Sequence, residues 1–221
     1  MIILFKIASR GRPEQFKATV MNIINNLSAG GKYFILASCD LDDETMYNDD
    51  IHKFCFQRSV ILNYAKHKTK IEAINAHIDQ IKEWDILVNV SDDQKFLAYE
   101  FDKIIRRDMQ LNFPERDGLL HYPDKHNKNT MTMSVIGRKY YELDNYIYHP
   151  EYYSTHCDTE AKEAAIIRKK YAEMTDIIYE HFHPNNTGAA QDKTYLRNAQ
   201  YEPFDEKTFL RRKKSHFNID F

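Results

Sequence analysis

The chain has few of the residues that mark fibrous, disulfide-bonded or disordered proteins. Its 221 residues include only six Gly, six Pro and three Cys. So little Gly and Pro excludes a collagen-like or low-complexity chain. Three cysteines without C-x-x-C spacing argue against a disulfide framework and against a thiolate zinc site. We therefore expect Cys39, Cys55 and Cys157 to be reduced thiols.

Long apolar runs and an excess of charge are also missing. No stretch of about 18 apolar residues occurs, and the five apolar residues at the start are too few for a signal peptide. A cytoplasmic protein is expected. Lys+Arg 31 and Asp+Glu 33 give a net charge of −2, which argues against a dedicated nucleic-acid binder. The 43% hydrophobic and 13% aromatic content is typical of one packed domain.

Apolar strands alternate with amphipathic helices over the first 90 residues. The predicted strands are 2–8, 33–37, 59–62 and 84–90, and helices with one apolar face are predicted at 13–27 and 69–81. This alternation implies right-handed βαβ units and a mainly parallel sheet that is covered by helices on both faces. Ligands of such sheets bind beyond the carboxyl ends of the strands.

The second half of the chain has a less regular pattern. We predict helices at 98–110 and 158–174 and strands at 119–122, 131–135 and 176–183. A polar loop and a short helical piece follow, and the chain ends in a basic region with Arg211–Lys214. Such a run is typical of a solvated helix face. Contact with a diphosphate or with anionic lipid at the membrane periphery is the alternative.

Two adjacent carboxylates, Asp92 and Asp93, follow Ser91 at the end of the apolar strand 86–90. Carboxylates at the end of a buried strand are unfavourable unless they contact solvent, a cation or a ligand. Oxygen ligands on a rigid strand end suit Mg²⁺ or Mn²⁺, and these ions bridge diphosphates. An exposed helix cap is the other interpretation.

Several short motifs, taken in order over roughly the first 190 residues, resemble the family-2-like GT-A fold nucleotide-sugar glycosyltransferases. The loop 8–13, with Ser9 and Arg10, resembles the family's first loop over the nucleotide. Asp40, with Asp42 nearby, is similar to the acid that binds the base. The stretch 68–75, with Lys70 and Asn75, resembles the segment that ends in Ala-x-Asn. The tripeptide 91–93 matches the DXD-type position.

The resemblance also implies roles for individual acids and histidines. Since Ser91 replaces the first Asp of the motif, Asp93 becomes the direct metal ligand and Asp92 a ribose-binding or supporting group. His183 resembles the late histidine that completes the cation site, and His181 is the reserve. Asp158 resembles the catalytic base at a helix start, with Cys157 in place of the family's Glu. Asp158 would equally serve as an N-cap, where the helix end lowers its pKa.

The resemblance implies an α/β fold, a single-domain GT-A (Rossmann-like) three-layer sandwich over 1–200 with a basic helical tail at 201–221. It implies Mn²⁺- or Mg²⁺-dependent transfer of a sugar from a nucleoside diphosphate sugar, UDP-sugar first, to a glycan or other hydroxyl acceptor, with inversion. Two other functions stay open: a non-catalytic nucleotide-sugar-binding or structural module of this fold, and a sugar-nucleotide nucleotidyltransferase. Six tyrosines between 140 and 153 serve packing or the stacking of sugar rings.

Overall fold

A computed structural model describes residues 1–184, 188 and 192–219. The strands are β1 Ile3–Ser9, β2 Tyr33–Asp40, β3 Val60–Ala65, β4 Ile86–Ser91, β5 Gln94–Phe96, β6 Leu119–His121, β7 Ser134–Gly137, β8 Tyr171–Glu173 and β9 Tyr179–His181. The helices are α1 Pro13–Asn26, α2 Asp49–Gln57, α3 Lys70–Asn75, α4 Phe101–Asn112, α5 Arg138–Asp144, α6 Cys157–Ile167, α7 Lys193–Ala199 and α8 Glu202–Lys214. Short 3₁₀ turns lie at Ile78–Gln80 and His216–Asn218.

A seven-stranded sheet in the order β3-β2-β1-β4-β7-β6-β8 forms the centre of the molecule. Strands β3, β2, β1 and β4 are parallel neighbours, whereas β7 runs antiparallel to both β4 and β6. Because β1, β2 and β4 are in register, their last residues Ser9, Asp40 and Ser91 end at one edge of the sheet. The predicted α/β class with a mainly parallel sheet is confirmed.

Two apolar cores separate the sheet from helices on its two faces. Alternate residues of β1 divide between them, so Phe5 packs with α1, α2 and α4, while Leu4 packs with α3, α5 and α6. Neither face of the strand meets water, which explains why its sequence is apolar from Ile3 to Ala8 except for the buried Lys6. Helices on both faces give the three layers that were expected. The three cysteines are free and buried.

A second, two-stranded sheet lies beside the main one and positions residues near the acidic tip of β4. Strand β5 pairs antiparallel with β9, which sets Gln94 beside His181. The backbone N–H of Phe182 also donates to the carbonyl of Asp93 at 2.8 Å. Strand β9 is shorter than the predicted 176–183, and its partner β5 was not predicted, because three residues carry too little periodicity.

The predicted helix 158–174 is wrong in its second half. Helix α6 ends at Ile167, and Lys169 has a left-handed backbone with φ of 57°. Tyr171 and the two residues after it form β8, which pairs with β6. The apolar residues Tyr171 and Met174 also fit a helical spacing, so the pattern alone could not exclude a helix here.

Two more elements differ from prediction. The predicted helix 69–81 stops at Asn75, because His77 has φ of 68°, and Ile78 and Ile81 join the same apolar core through a 3₁₀ turn. Thr69 caps α3 as predicted, accepting from the backbone N–H of Glu72 at 3.0 Å. Helix α2 was not predicted; it begins with the acids Asp49 and Asp50 and is capped by Asn48.

The basic end of the chain is a packed helix. Within α8, Arg212 is only 3% exposed and forms a bidentate ion pair with Glu160 of α6. Arg211 pairs with Glu151, and Lys213 with Glu163 at 2.7 Å. The interpretation of this run as a solvated face is therefore wrong for Arg212. Among the described residues, none belongs to a helix with the length and apolarity needed to cross a bilayer.

Candidate functional site

A cleft of about 680 Å³ opens at the sheet edge where β1, β2 and β4 end. Its volume lies in the usual range for small-ligand sites. Eight of the residues predicted for the site line this cleft. His181, the second-choice histidine for the cation site, lines it as well. The eight are Ser9, Arg10, Asp40, Lys70, Asp92, Asp93, Asp158 and His183.

One end of the cleft is formed by Asp40 and Arg10. The carboxylate of Asp40 lies 2.7 Å from Nδ1 of His67 and accepts from Nη1 of Arg10 at 2.6 Å. Burial raises the pKa of Asp40, but the bonds to His67 and Arg10 outweigh burial and hold it below its ordinary value. Arg10 bonds Asp42 as well, at 2.5 Å. This arrangement presents a fixed, ionised acceptor at the end of β2.

Two carboxylates, Asp92 and Asp93, follow strand β4, and two cleft residues of the first loop hold Asp92. Asp92 accepts from the hydroxyl of Ser9 at 2.7 Å and from Arg12 at 2.9 Å. Burial nevertheless raises the pKa of Asp92. Burial acts in the same direction on Asp93, yet His181, at 3.1 Å, and the hydroxyl of Tyr195 hold the pKa of Asp93 well below its usual range. The pKa is therefore raised for Asp92 and lowered for its neighbour Asp93.

Arg12 is the main site residue that the sequence did not single out. Its buried guanidinium bonds Asp92 and also Asp192, the latter at 2.7 Å through Nε, and its carbon lies 4.2 Å from the centre of the Tyr195 ring. Burial lowers the pKa of Arg12, but its acidic partners raise it overall. The only sequence signal was its place just before Pro13 at the start of α1.

The family resemblance gave His183 as the first choice for the cation site and His181 as the second, but His181 is the one that contacts Asp93. His181, the reserve, lies beside Asp93, and the ring of His183 packs edge-on against His181 at 5.6 Å and Tyr195 at 4.9 Å. Both histidines line the cleft. In the part of the chain that the structure describes, no three acidic, Cys or His side chains already surround one point.

The donor groups present fit a divalent cation nonetheless. A carboxylate suits both Mg²⁺ and Mn²⁺, whereas an imidazole suits a transition ion such as Mn²⁺ better than Mg²⁺. Such ions commonly take one or two protein ligands and complete their coordination with phosphate oxygens and water. Asp93, with His181 or His183, is the set that would hold it.

Asp158 lies in the first turn of α6 and lines the same cleft. It is not the N-cap, since that position is occupied by His156 with φ of 58°. Burial raises the pKa of Asp158, although the N–H of Thr159 and the charge of Lys70 act against it. The helix end therefore lowers the pKa of Asp158 as expected, but burial is the larger effect and the net shift is upward. Cys157 is a buried neighbour whose pKa burial also raises.

Two predicted binding residues lie outside the cleft lining. Asn75 holds a loop instead: its Oδ1 accepts from the backbone N–H of Ile147 at 2.9 Å and its Nδ2 donates to the carbonyl of Tyr148 at 2.7 Å. Asp42 has a side chain 67% exposed and pairs with Arg10 at the rim. Asn75 therefore does not line the cleft as the resemblance implied, and Asp42 is connected to it only by the ion pair with Arg10.

The comparisons with known proteins rest on structure. No protein-family model and no curated protein sequence matches the chain. TarS residues 1–349 from S. aureus superpose with a TM-score of 0.62 at 12% identity, covering 84% of this chain and 62% of that one. The mannosyltransferase PcManGT from Pyrobaculum calidifontis, in complex with GDP-Man and Mn²⁺, gives a TM-score of 0.59 at 10% identity and covers 80% and 54%.

A third similar structure is glucosyl-3-phosphoglycerate synthase from Mycobacterium tuberculosis, in complex with Mn²⁺, UDP and phosphoglyceric acid. It has a TM-score of 0.63 at 11% identity, with 100% of this chain and 80% of that chain covered. The chain thus spans less than two thirds of the TarS and PcManGT chains. The fold is that of the GT-A nucleotide-sugar glycosyltransferases.

Proposed function

We propose that the protein is a metal-dependent glycosyltransferase that moves a sugar from a nucleoside diphosphate sugar to an acceptor hydroxyl, with inversion. One observation carries the proposal: Asp40, Asp93 and Asp158, far apart in sequence, line one cleft at the carboxyl edge of the parallel strands. The GT-A fold and the donor chemistry of the cleft support it. UDP-sugar is the first donor to test, because TarS was solved with UDP-GlcNAc and the synthase with UDP.

Each cleft residue has a role that follows from its chemistry. Asp40, held by Arg10 and His67, accepts a hydrogen bond from the base. Asp92, fixed by Ser9, serves the ribose. Arg12 and Lys70 line the cleft, and their cations would stabilise diphosphate oxygens. A divalent cation bound by Asp93 and a histidine would neutralise charge on the leaving diphosphate.

Asp158 accepts the proton of the attacking acceptor hydroxyl. Its raised pKa makes it a stronger base than an exposed aspartate. The base must be ionised, so the rate falls as the pH drops through this raised pKa. Asp158→Asn should lower the rate of UDP release from a donor sugar at least about 100-fold while UDP binding persists.

The cation assignment is tested by thermal unfolding with UDP and with GDP, each with and without Mn²⁺. At 100 times Kd, a ligand adds about 2.7 kcal/mol to the free energy of unfolding. We expect the wild type to gain this stabilisation only when a nucleotide and the metal are both present, and Asp93→Asn to lose it. Asp79→Asn, an exposed acid, is the matched control. Stabilisation that persists in Asp93→Asn rules out this metal site.

Two further expectations stay predictions. A cytoplasmic location was inferred from the sequence alone. Contact with anionic lipid through Arg211–Lys214 would depend on fewer free charges than the sequence indicates, since Arg212 is buried against Glu160.

A further inference from the structure

The C-terminal helix α8, which the sequence set apart as a tail, contributes a wall of the cleft. Tyr201 and Glu202, at its start, line the same cleft as Asp158. The loop before α6 lines it next to them with Ser154, Thr155 and His156. These five residues, which we call the α8 wall, have no role in the donor site described above.

The α8 wall offers an aromatic face beside polar groups. The ring of Tyr201 stacks on Tyr153 with centroids 4.9 Å apart and an interplanar angle of 23°, and Phe204 contacts Tyr153 edge-on at 4.7 Å. Oε1 of Glu202 lies 2.9 Å from Nε2 of His156. Aromatic faces bind the C–H faces of sugar rings, and carboxylate and imidazole groups bind their hydroxyls.

The wall is held rigidly from α8. Asp205, which is fully buried, accepts from the backbone N–H groups of Tyr153, Ser154 and Thr155 at 2.9, 2.8 and 2.8 Å. His156 keeps a left-handed backbone, with φ of 58°, immediately before α6. A non-glycine residue in this conformation is strained, and such strain persists only where surrounding contacts fix it. The wall is thus preformed, which lowers the entropic cost of binding.

The position and charge of the wall favour an acceptor over the donor. A diphosphate would be repelled by the carboxylate of Glu202, whereas the cation of Arg12 lies at the strand ends, 2.9 Å from Asp92. The wall lies close to Asp158, since His156 is two residues away and its charge lowers the pKa of that carboxyl.

We propose that the α8 wall is an acceptor subsite for a sugar ring, with Tyr201 as the stacking surface and Glu202 as the hydroxyl-binding group. This inference rests on the proposed function, since it takes the donor to occupy the Asp40 and Asp93 side of the cleft.

The test measures binding of methyl glycosides of glucose, galactose, mannose and N-acetylglucosamine by saturation-transfer NMR, in the presence of UDP and Mn²⁺. At least one glycoside should bind the wild type. Tyr201→Ala should weaken that binding about tenfold, as expected for loss of a stacking contact. Tyr201→Phe should retain it, and Glu202→Gln should weaken it severalfold. Tyr99→Ala and Glu83→Gln change exposed residues outside the wall and should bind as the wild type does.

UDP-linked thermal stabilisation, measured on the same samples, keeps the two proposals separate. It should be unchanged in every variant of the wall. The proposed function is contradicted if neither UDP nor GDP, each with Mn²⁺, stabilises the wild type. A wild type that is stabilised by UDP but binds none of the glycosides overturns the sugar subsite. Tyr201→Ala and Glu202→Gln proteins that bind glycoside like the wild type overturn it as well.

Discussion

The carboxylate of Asp205 should be among the most important single groups for the stability of the protein. It is fully buried and accepts three backbone hydrogen bonds from the loop before α6. Each bond to a charged group contributes about 1.5–3 kcal/mol, and the contributions overlap once water reaches the loop. We expect Asp205→Ala to lower the free energy of unfolding by about 3–5 kcal/mol. Urea unfolding, followed by the fluorescence of the buried single Trp84, measures this loss.

Graded variants separate the hydrogen bonds from a general packing defect. Asp205→Asn keeps one acceptor oxygen without the charge, so its loss should be smaller, about 1–2 kcal/mol. Glu206→Gln, on the exposed side of the same helix, should change stability by less than about 0.5 kcal/mol. Amide exchange at Ser154 and Thr155 should accelerate in Asp205→Ala. A loss below about 1 kcal/mol in Asp205→Ala, or unchanged exchange at these amides, would refute the reasoning.

Two further predictions concern buried polar groups near the cleft. Burial lowers the pKa of Lys6 to about 7. Between about pH 7 and 10 the unfolded chain therefore binds a proton that the folded chain lacks. The free energy of unfolding consequently rises with pH, by up to about 1.4 kcal/mol per pH unit. Urea unfolding across this range should show that the difference between Lys6→Met and wild type shrinks with rising pH, and a constant difference would contradict the assignment. Asn75→Ala should cost about 2–3 kcal/mol by freeing the backbone of Ile147 and Tyr148, and UDP titration should show little change in Kd. Lost UDP binding at unchanged stability would restore the direct role.

Much of the fold was predictable because strands and helices each impose a repeating pattern on the sequence. The apolar runs of β1, β2 and β4 identified parallel strands, and their carboxyl ends must meet at one edge of the sheet. That geometry alone places Ser9, Asp40 and Asp92 in one cleft, as the structure has them. The location of these residues follows directly from the positions at which the regular strands end.

Contacts between distant segments leave no such pattern. Arg12 bonds Asp92 across 80 residues and Asp192 across 180, and neither pair has a characteristic spacing. The end of α6 was misjudged for a related reason: Tyr171 satisfies a helical and a strand pattern equally, and pairing with β6 decides between them. Local sequence cannot represent a preference that depends on a partner strand.

The C-terminal helix shows the same limit with a functional consequence. A basic run such as Arg211–Lys214 has a net charge that the sequence displays, but its burial depends on Glu160, which lies some 50 residues earlier. The side chain of Asp205 likewise has no sequence signal that links it to the loop 153–155. Because both contacts fix the segment that carries Asp158, removal of α8 should displace Asp158 as well as destabilise the fold. The C-terminal helix, which lines the cleft with Tyr201 and Glu202, therefore belongs with the candidate site rather than outside it.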